Sequence, residues 1–81
     1  MMNERIYQIQ LPDASDTDEH PRLLVDGDGI HAGDTFEALF PDGWQWIRLE
    51  IDWNVKGPAS WYIADPVKLR EVCPVGLFVR V

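Results

Sequence analysis

A single cysteine, Cys73, stands in 81 residues, so the chain forms no internal disulfide. A domain of this size buries only about 60–65% of its extended surface, and small secreted domains ordinarily compensate with cross-links. Their absence points to a reducing cytoplasm. Basic residues are also scarce: seven Lys and Arg face fourteen Asp and Glu, a formal net charge of −7. A field of that sign repels phosphate, which argues against nucleic acid as a direct ligand. Long apolar runs are missing. The longest mostly apolar stretch, "VCPVGLFV", is broken by proline and glycine, and "MMNERIYQIQ" lacks a basic region followed by an apolar core. Neither a membrane span nor a secretion signal is expected.

The groups that assemble catalytic and metal centres are sparse. His20 and His31 lie in turn segments, with no second histidine or cysteine at zinc-ligand spacing. Cys73 precedes Pro74 in an apolar context and reads as a small buried hydrophobe rather than a nucleophile. A calcium loop starting at Asp26 has Asp28 at its third position, but Ile30 and His31 occupy places that require an oxygen ligand and glycine. No enzyme activity, metal or cofactor is expected.

A hydrophobic fraction of 46% with nine aromatics lies in the globular range, and residues 1–81 read as one domain. The charge is concentrated. Residues 13–34 hold Asp13, Asp16, Asp18, Glu19, Asp26, Asp28 and Asp34 against Arg22 alone, seven acids less one base, or −6. Within it, "PDASDTDEHP" cannot bury apolar area and reads as a solvated loop over residues 12–21.

Period-two alternation predicts strands over 4–11, 22–26, 35–40, 44–53, 61–65 and 76–81. Tyr7, Ile9 and Leu11, then Phe36, Ala38 and Phe40, then Leu77, Val79 and Val81 form inward faces. Asp-Gly pairs after Val25 and "PDG" at 41–43 supply tight turns. Asp65 reads as the N-cap, with Pro66 first, of one short helical or 3-10 turn. Five to six short strands without a longer helix indicate an all-β domain, with a small, partly closed SH3-like barrel favoured over an OB-like one.

The stretch "GWQWIRLEIDW" decides which tryptophans are free. Alternation puts Gln45, Ile47, Leu49, Ile51 and Trp53 on one side and Trp44, Trp46, Arg48, Glu50 and Asp52 on the other. Burial of each of the three aliphatics is worth about 1.5–3 kcal/mol, so theirs is the core side. Trp44 and Trp46 then either cover a secondary cluster or form an aromatic patch beside Arg48 and Glu50, a composition enriched at interface centres.

The run "GIHAGDTFEALFPDGWQWIRLE", with "WYIADP" and a terminal "GLFVRV", resembles a family of small proteins of unknown function encoded on bacterial plasmids, prophages and integrative elements. The resemblance covers residues 29–81 through His31, Gly33, Asp34, Trp46, Ile47, Glu50, Trp61, Tyr62, Gly76, Leu77, Val79 and Arg80. Arg48 sits one residue closer to Trp46 than the family spacing. The acidic loop falls outside the shared part.

The resemblance implies a mobile-element setting and no reaction. By analogy with that setting, the expected function is an acidic anti-defence inhibitor of the anti-CRISPR or anti-restriction type, docking on a protein with a basic, nucleic-acid-handling surface. Asp13, Asp16, Asp18, Glu19, Asp26 and Asp28 would steer it, and Trp44, Trp46, Arg48 and Glu50 would make close contacts. The alternative is an SH3-like module that recognises a peptide or self-associates through a sheet edge.

Overall fold

Antiparallel pairing organises the chain in the computed structural model, which describes residues 5–81. The strands are β1 (Ile6–Gln8), β2 (Leu24–Val25), β3 (Asp28–Gly29), β4 (Thr35–Phe40), β5 (Gly43–Ile51), β6 (Trp61–Asp65) and β7 (Phe78–Arg80). Five of them form a sheet in the order β1-β7-β4-β5-β6, and β2 and β3 make a separate hairpin. Glu4, the first residue of the expected strand 4–11, lies outside the described residues.

Turn chemistry sets both hairpins. Asp26 and Gly27 have φ of 53° and 77°, the two positive values that a tight I′-like turn between twisted strands requires. Between β4 and β5, Pro41 presets φ and Gly43 takes φ 123°, pairing Phe40 with Gly43. That pairing fixes the register down to Thr35 opposite Arg48.

The core follows from the register. Ala38, Ile47, Leu49, Ile63 and Val79 point to one face of the sheet and are at most 2% exposed. The hairpin covers this face with Leu23, Val25 and Ile30, while Ile9 and Trp61 complete the cluster. Gln10 and Leu24 exchange two backbone hydrogen bonds of 2.9 Å, tying the hairpin to the end of β1. The Trp61 indole N–H donates to the Pro21 carbonyl at 2.8 Å, so the largest core side chain is polar-satisfied.

The domain is all-β, with 3-10 turns at Pro58–Ser60 and Val67–Leu69. The sheets are not closed, which corrects the expected partly closed barrel. Closure needs β1 to pair with β6, and these stand at opposite ends of the strand order; the β2–β3 hairpin covers the inner face instead. Among the described residues no helix is long and apolar enough to cross a membrane.

Other local expectations are corrected where strands stop early. Leu11 is 56% exposed because β1 has already ended and Gln10 is paired to the hairpin. Val81 is exposed just beyond the end of β7. Trp53, expected on the core side, is 66% exposed because β5 ends at Ile51. Asp52 there accepts the Asn54 N–H at 3.0 Å and turns the chain. Asp65 is the last residue of β6, and Pro66 takes the N-cap position without a side-chain cap. Cys73 is exposed, and its neighbour Pro74 is the residue that is buried.

Truncating Leu49 to alanine should lower the unfolding free energy by about 2–5 kcal/mol in urea titration. Thr35→Ala, exposed on the adjoining strand, should change it by less than about 0.5 kcal/mol.

Candidate functional site

The acidic loop is folded by its own carboxylates. Asp13 Oδ1 accepts the Ser15 backbone N–H at 2.9 Å and the Ser15 hydroxyl at 3.0 Å, and Asp16 Oδ1 accepts the Asp18 N–H at 3.0 Å. The backbone donor and then the hydroxyl of Ser15 hold the Asp13 carboxyl below the usual aspartate range. Its charge is therefore kept in mildly acidic solution.

The far end of the loop is fastened to the turn after β5. Gly57 N–H donates to the Glu19 carbonyl at 2.6 Å, and Lys56 Nζ lies 3.2 Å from Glu19 Oε1. His20 Nε2 lies 3.1 Å from the Trp53 carbonyl oxygen, and the two rings meet edge to face with centroids 4.9 Å apart. These contacts hold the exposed Trp53 ring beside the loop.

Between them lies an open cleft of about 670 Å³ bordered by Asp13, Asp16, Asp18, His20, Trp53 and His31. Arg22 also reaches it, but its Nη1 donates to the Ile30 carbonyl at 3.0 Å. Gly29 makes room for that arginine, since a Cβ there would stand 2.7 Å from Arg22 Cδ. Three carboxylates beside an exposed indole suit a cation: the acids attract it at range, and the ring face offers a cation–π contact. Among the described residues no group of three or more His, Cys, Asp or Glu could hold a metal ion.

The remaining candidates lie elsewhere. Glu19 is engaged with Lys56 at the fastened end of the loop. Asp26 and Asp28 border a smaller groove of about 300 Å³ with Arg5, Tyr7 and Phe36. Trp44, Trp46, Arg48 and Glu50 stand on the outer face of the sheet, opposite to Ile47 and Leu49. Trp46 is 63% exposed, while Trp44 is half-buried under the Arg80 guanidinium, 4.2 Å from the ring centroid. Arg80 also makes a two-pronged pair with Glu37, Nε to Oε1 at 2.9 Å and Nη2 to Oε2 at 3.0 Å. Arg48 Nε lies 3.3 Å from Glu50 Oε2.

The structure thus brings the acidic loop together with Trp53 and His20, and not with Trp44 and Trp46. Sequence reasoning missed this because it ran the alternation of β5 through Trp53. The signal that could have found it is the turn composition "DWNVKGP", whose Asp, Asn and Gly end a strand.

Fold and cleft together define a small open-sheet β domain with an acid-bordered cleft beside an exposed indole. The chain belongs to the family described as Domain of unknown function (DUF5348), whose model matches residues 3–77. That match takes in the acidic loop, which the sequence resemblance leaves outside, and ends at Leu77, before β7. No curated protein and no solved structure matches the chain.

The hydrogen bonds from Arg80, reinforced by its charge, hold the Glu37 carboxyl below the usual glutamate range. A depressed carboxyl contributes stability that is present above its unfolded value and lost as pH falls through the folded value. The stability gap between wild type and Glu37→Gln should be flat near neutrality and shrink as pH falls below 4.5. Urea midpoints measured across that range read it directly.

Proposed function

We propose that the chain is a non-enzymatic binding protein of a mobile genetic element, an anti-defence inhibitor of the anti-CRISPR or anti-restriction type. It docks its acidic cleft on the basic surface of a cytoplasmic protein that handles nucleic acid. The observation that carries this reading is the meeting of Asp13, Asp16 and Asp18 with the exposed ring of Trp53 around one cleft. A lysine or arginine side chain entering it gains carboxylate partners and a π face together.

The net charge of −7 supports the same direction, since it speeds encounter with a basic surface and disfavours phosphate. Asp26 and Asp28 extend the field to the neighbouring groove. Trp44, Trp46, Arg48 and Glu50 stand on the other face of the sheet, and this docking does not require them. A second reading, an SH3-like module that adds a peptide strand or self-associates along an edge, is supported by the open edges at β1 and β6.

The test is capture from host lysate with wild type and with a variant carrying Asp13→Asn, Asp16→Asn, Asp18→Asn and Glu19→Gln. Wild type should retain a nucleic-acid-handling protein, compete with its nucleic acid and release it as salt rises. The neutralised variant and Trp53→Ala should each lose at least about tenfold in affinity. Equal capture by all three would reject the cleft, and binding indifferent to salt would favour the edge.

A further inference from the structure

The sheet has a second surface whose chemistry differs from that of the cleft. Its outer face leaves Ile6, Leu39, Trp46 and Phe78 exposed at 50, 42, 63 and 47%. Strand register makes these neighbours: Ile6 pairs with Arg80, Arg80 with Glu37 and Glu37 with Trp46, forming one row across β1, β7, β4 and β5. In the adjacent row Gln8 pairs with Phe78 and Leu39 with Trp44. At the centre Arg80 is fixed by Glu37 and stacked on Trp44.

We propose that this outer face is a homodimer interface, covered in solution by the same face of a second copy of the chain. Charge selects that occupant. The ionised side chains at the middle of the face, Glu37 with Arg80 and Arg48 with Glu50, form two pairs whose formal charges sum to zero. The segment 13–34 carries −6 and supplies the acids of the cleft and groove instead. Two chains of charge −7 therefore meet with least repulsion face to face across the outer sheet, whereas a basic partner is drawn to the cleft.

Size limits the strength of this contact, and composition agrees with it. β1, β7, β4, β5 and β6 hold 3, 3, 6, 9 and 5 residues, which at about 4.8 Å between strands and about 3.3 Å per residue give a face of roughly 400 Å². That plan area is about half of the roughly 800 Å² per partner of a standard interface, so the dimer is a weak one that forms with rising concentration. Tryptophan and arginine at its centre are the side chains enriched where interfaces gain most of their energy. A two-fold axis through the face makes the contact isologous and closed, so the assembly stops at two. This proposal is independent of the cleft's ligand.

Sedimentation equilibrium of the whole chain from about 1 to 500 μM tests it. The expected mass rises from 9.3 kDa towards twice that value with concentration. Trp46→Lys and Phe78→Lys, each verified as folded by circular dichroism, should each weaken association at least about tenfold. Higher salt should tighten the wild-type dimer by screening its net charge, the opposite of its effect on the cleft. Acrylamide quenching should fall with concentration in the unmodified protein, as Trp46 becomes covered. A mass of one chain at every concentration would overturn the proposal. So would a dimer indifferent to both substitutions, or an outer face that becomes protected only when a different protein is added.

Discussion

The side-to-side alternation of β5 governs the rest of the molecule. Ile47 and Leu49 are at most 2% exposed, and Trp46 and Arg48 on the same strand face out. Shifting the register by one residue would exchange the two sets, burying an ion pair and an indole edge while wetting the aliphatics. With each aliphatic worth about 1.5–3 kcal/mol of burial, no other local preference in the chain competes. Neighbouring strands inherit the assignment through their pairing with β5: Ala38 and Phe36 through β4, Ile63 and Trp61 through β6.

The sheet is left open by the same constraint. Its edge strands are short, three residues in β1 and five in β6, and their ends are engaged elsewhere. Gln10 continues β1 into the β2–β3 hairpin, and the hairpin then lies over the inner face. One hairpin therefore does the covering that barrel closure would otherwise provide. The arrangement separates chemistry by face: carboxylates and Trp53 gather around the hairpin side, while the outer side is apolar with internally paired charges. Net negative charge thus gathers on one side of a small domain.

Much of this was legible in the sequence, because alternation and turn residues act locally. Strand 35–40, the "PDG" turn and the inward set of Phe36, Ala38, Ile47 and Leu49 follow from period two and glycine conformation alone. Strand ends were less legible. Leu11, Trp53 and Val81 continue the alternation on paper, but the backbone has left the ladder by then, and facing is decided by pairing rather than by side-chain type. The association of the acidic loop with Trp53 depends on contacts between Glu19 and Gly57 and between Pro21 and Trp61, far apart in the chain, which no short window contains. The residues carrying the family resemblance prove largely architectural. His31 and Asp34 close a turn whose Gly33 N–H donates to the Leu49 carbonyl, Trp61 fills the core, and Val79 is fully buried. A signature of that kind marks a fold more than a reaction.

The measurement closest to the centre of this account is quenching of single-tryptophan proteins, three indoles replaced by phenylalanine in each, read at high dilution. Trp46 and Trp53 should be quenched nearly as freely as a model indole in water, and Trp61 strongly protected. Protection of Trp46 with free access to Trp61 would mean that β5 presents its other side to the core, and the outer face would be lost with it; protection of Trp53 would remove the exposed ring of the cleft.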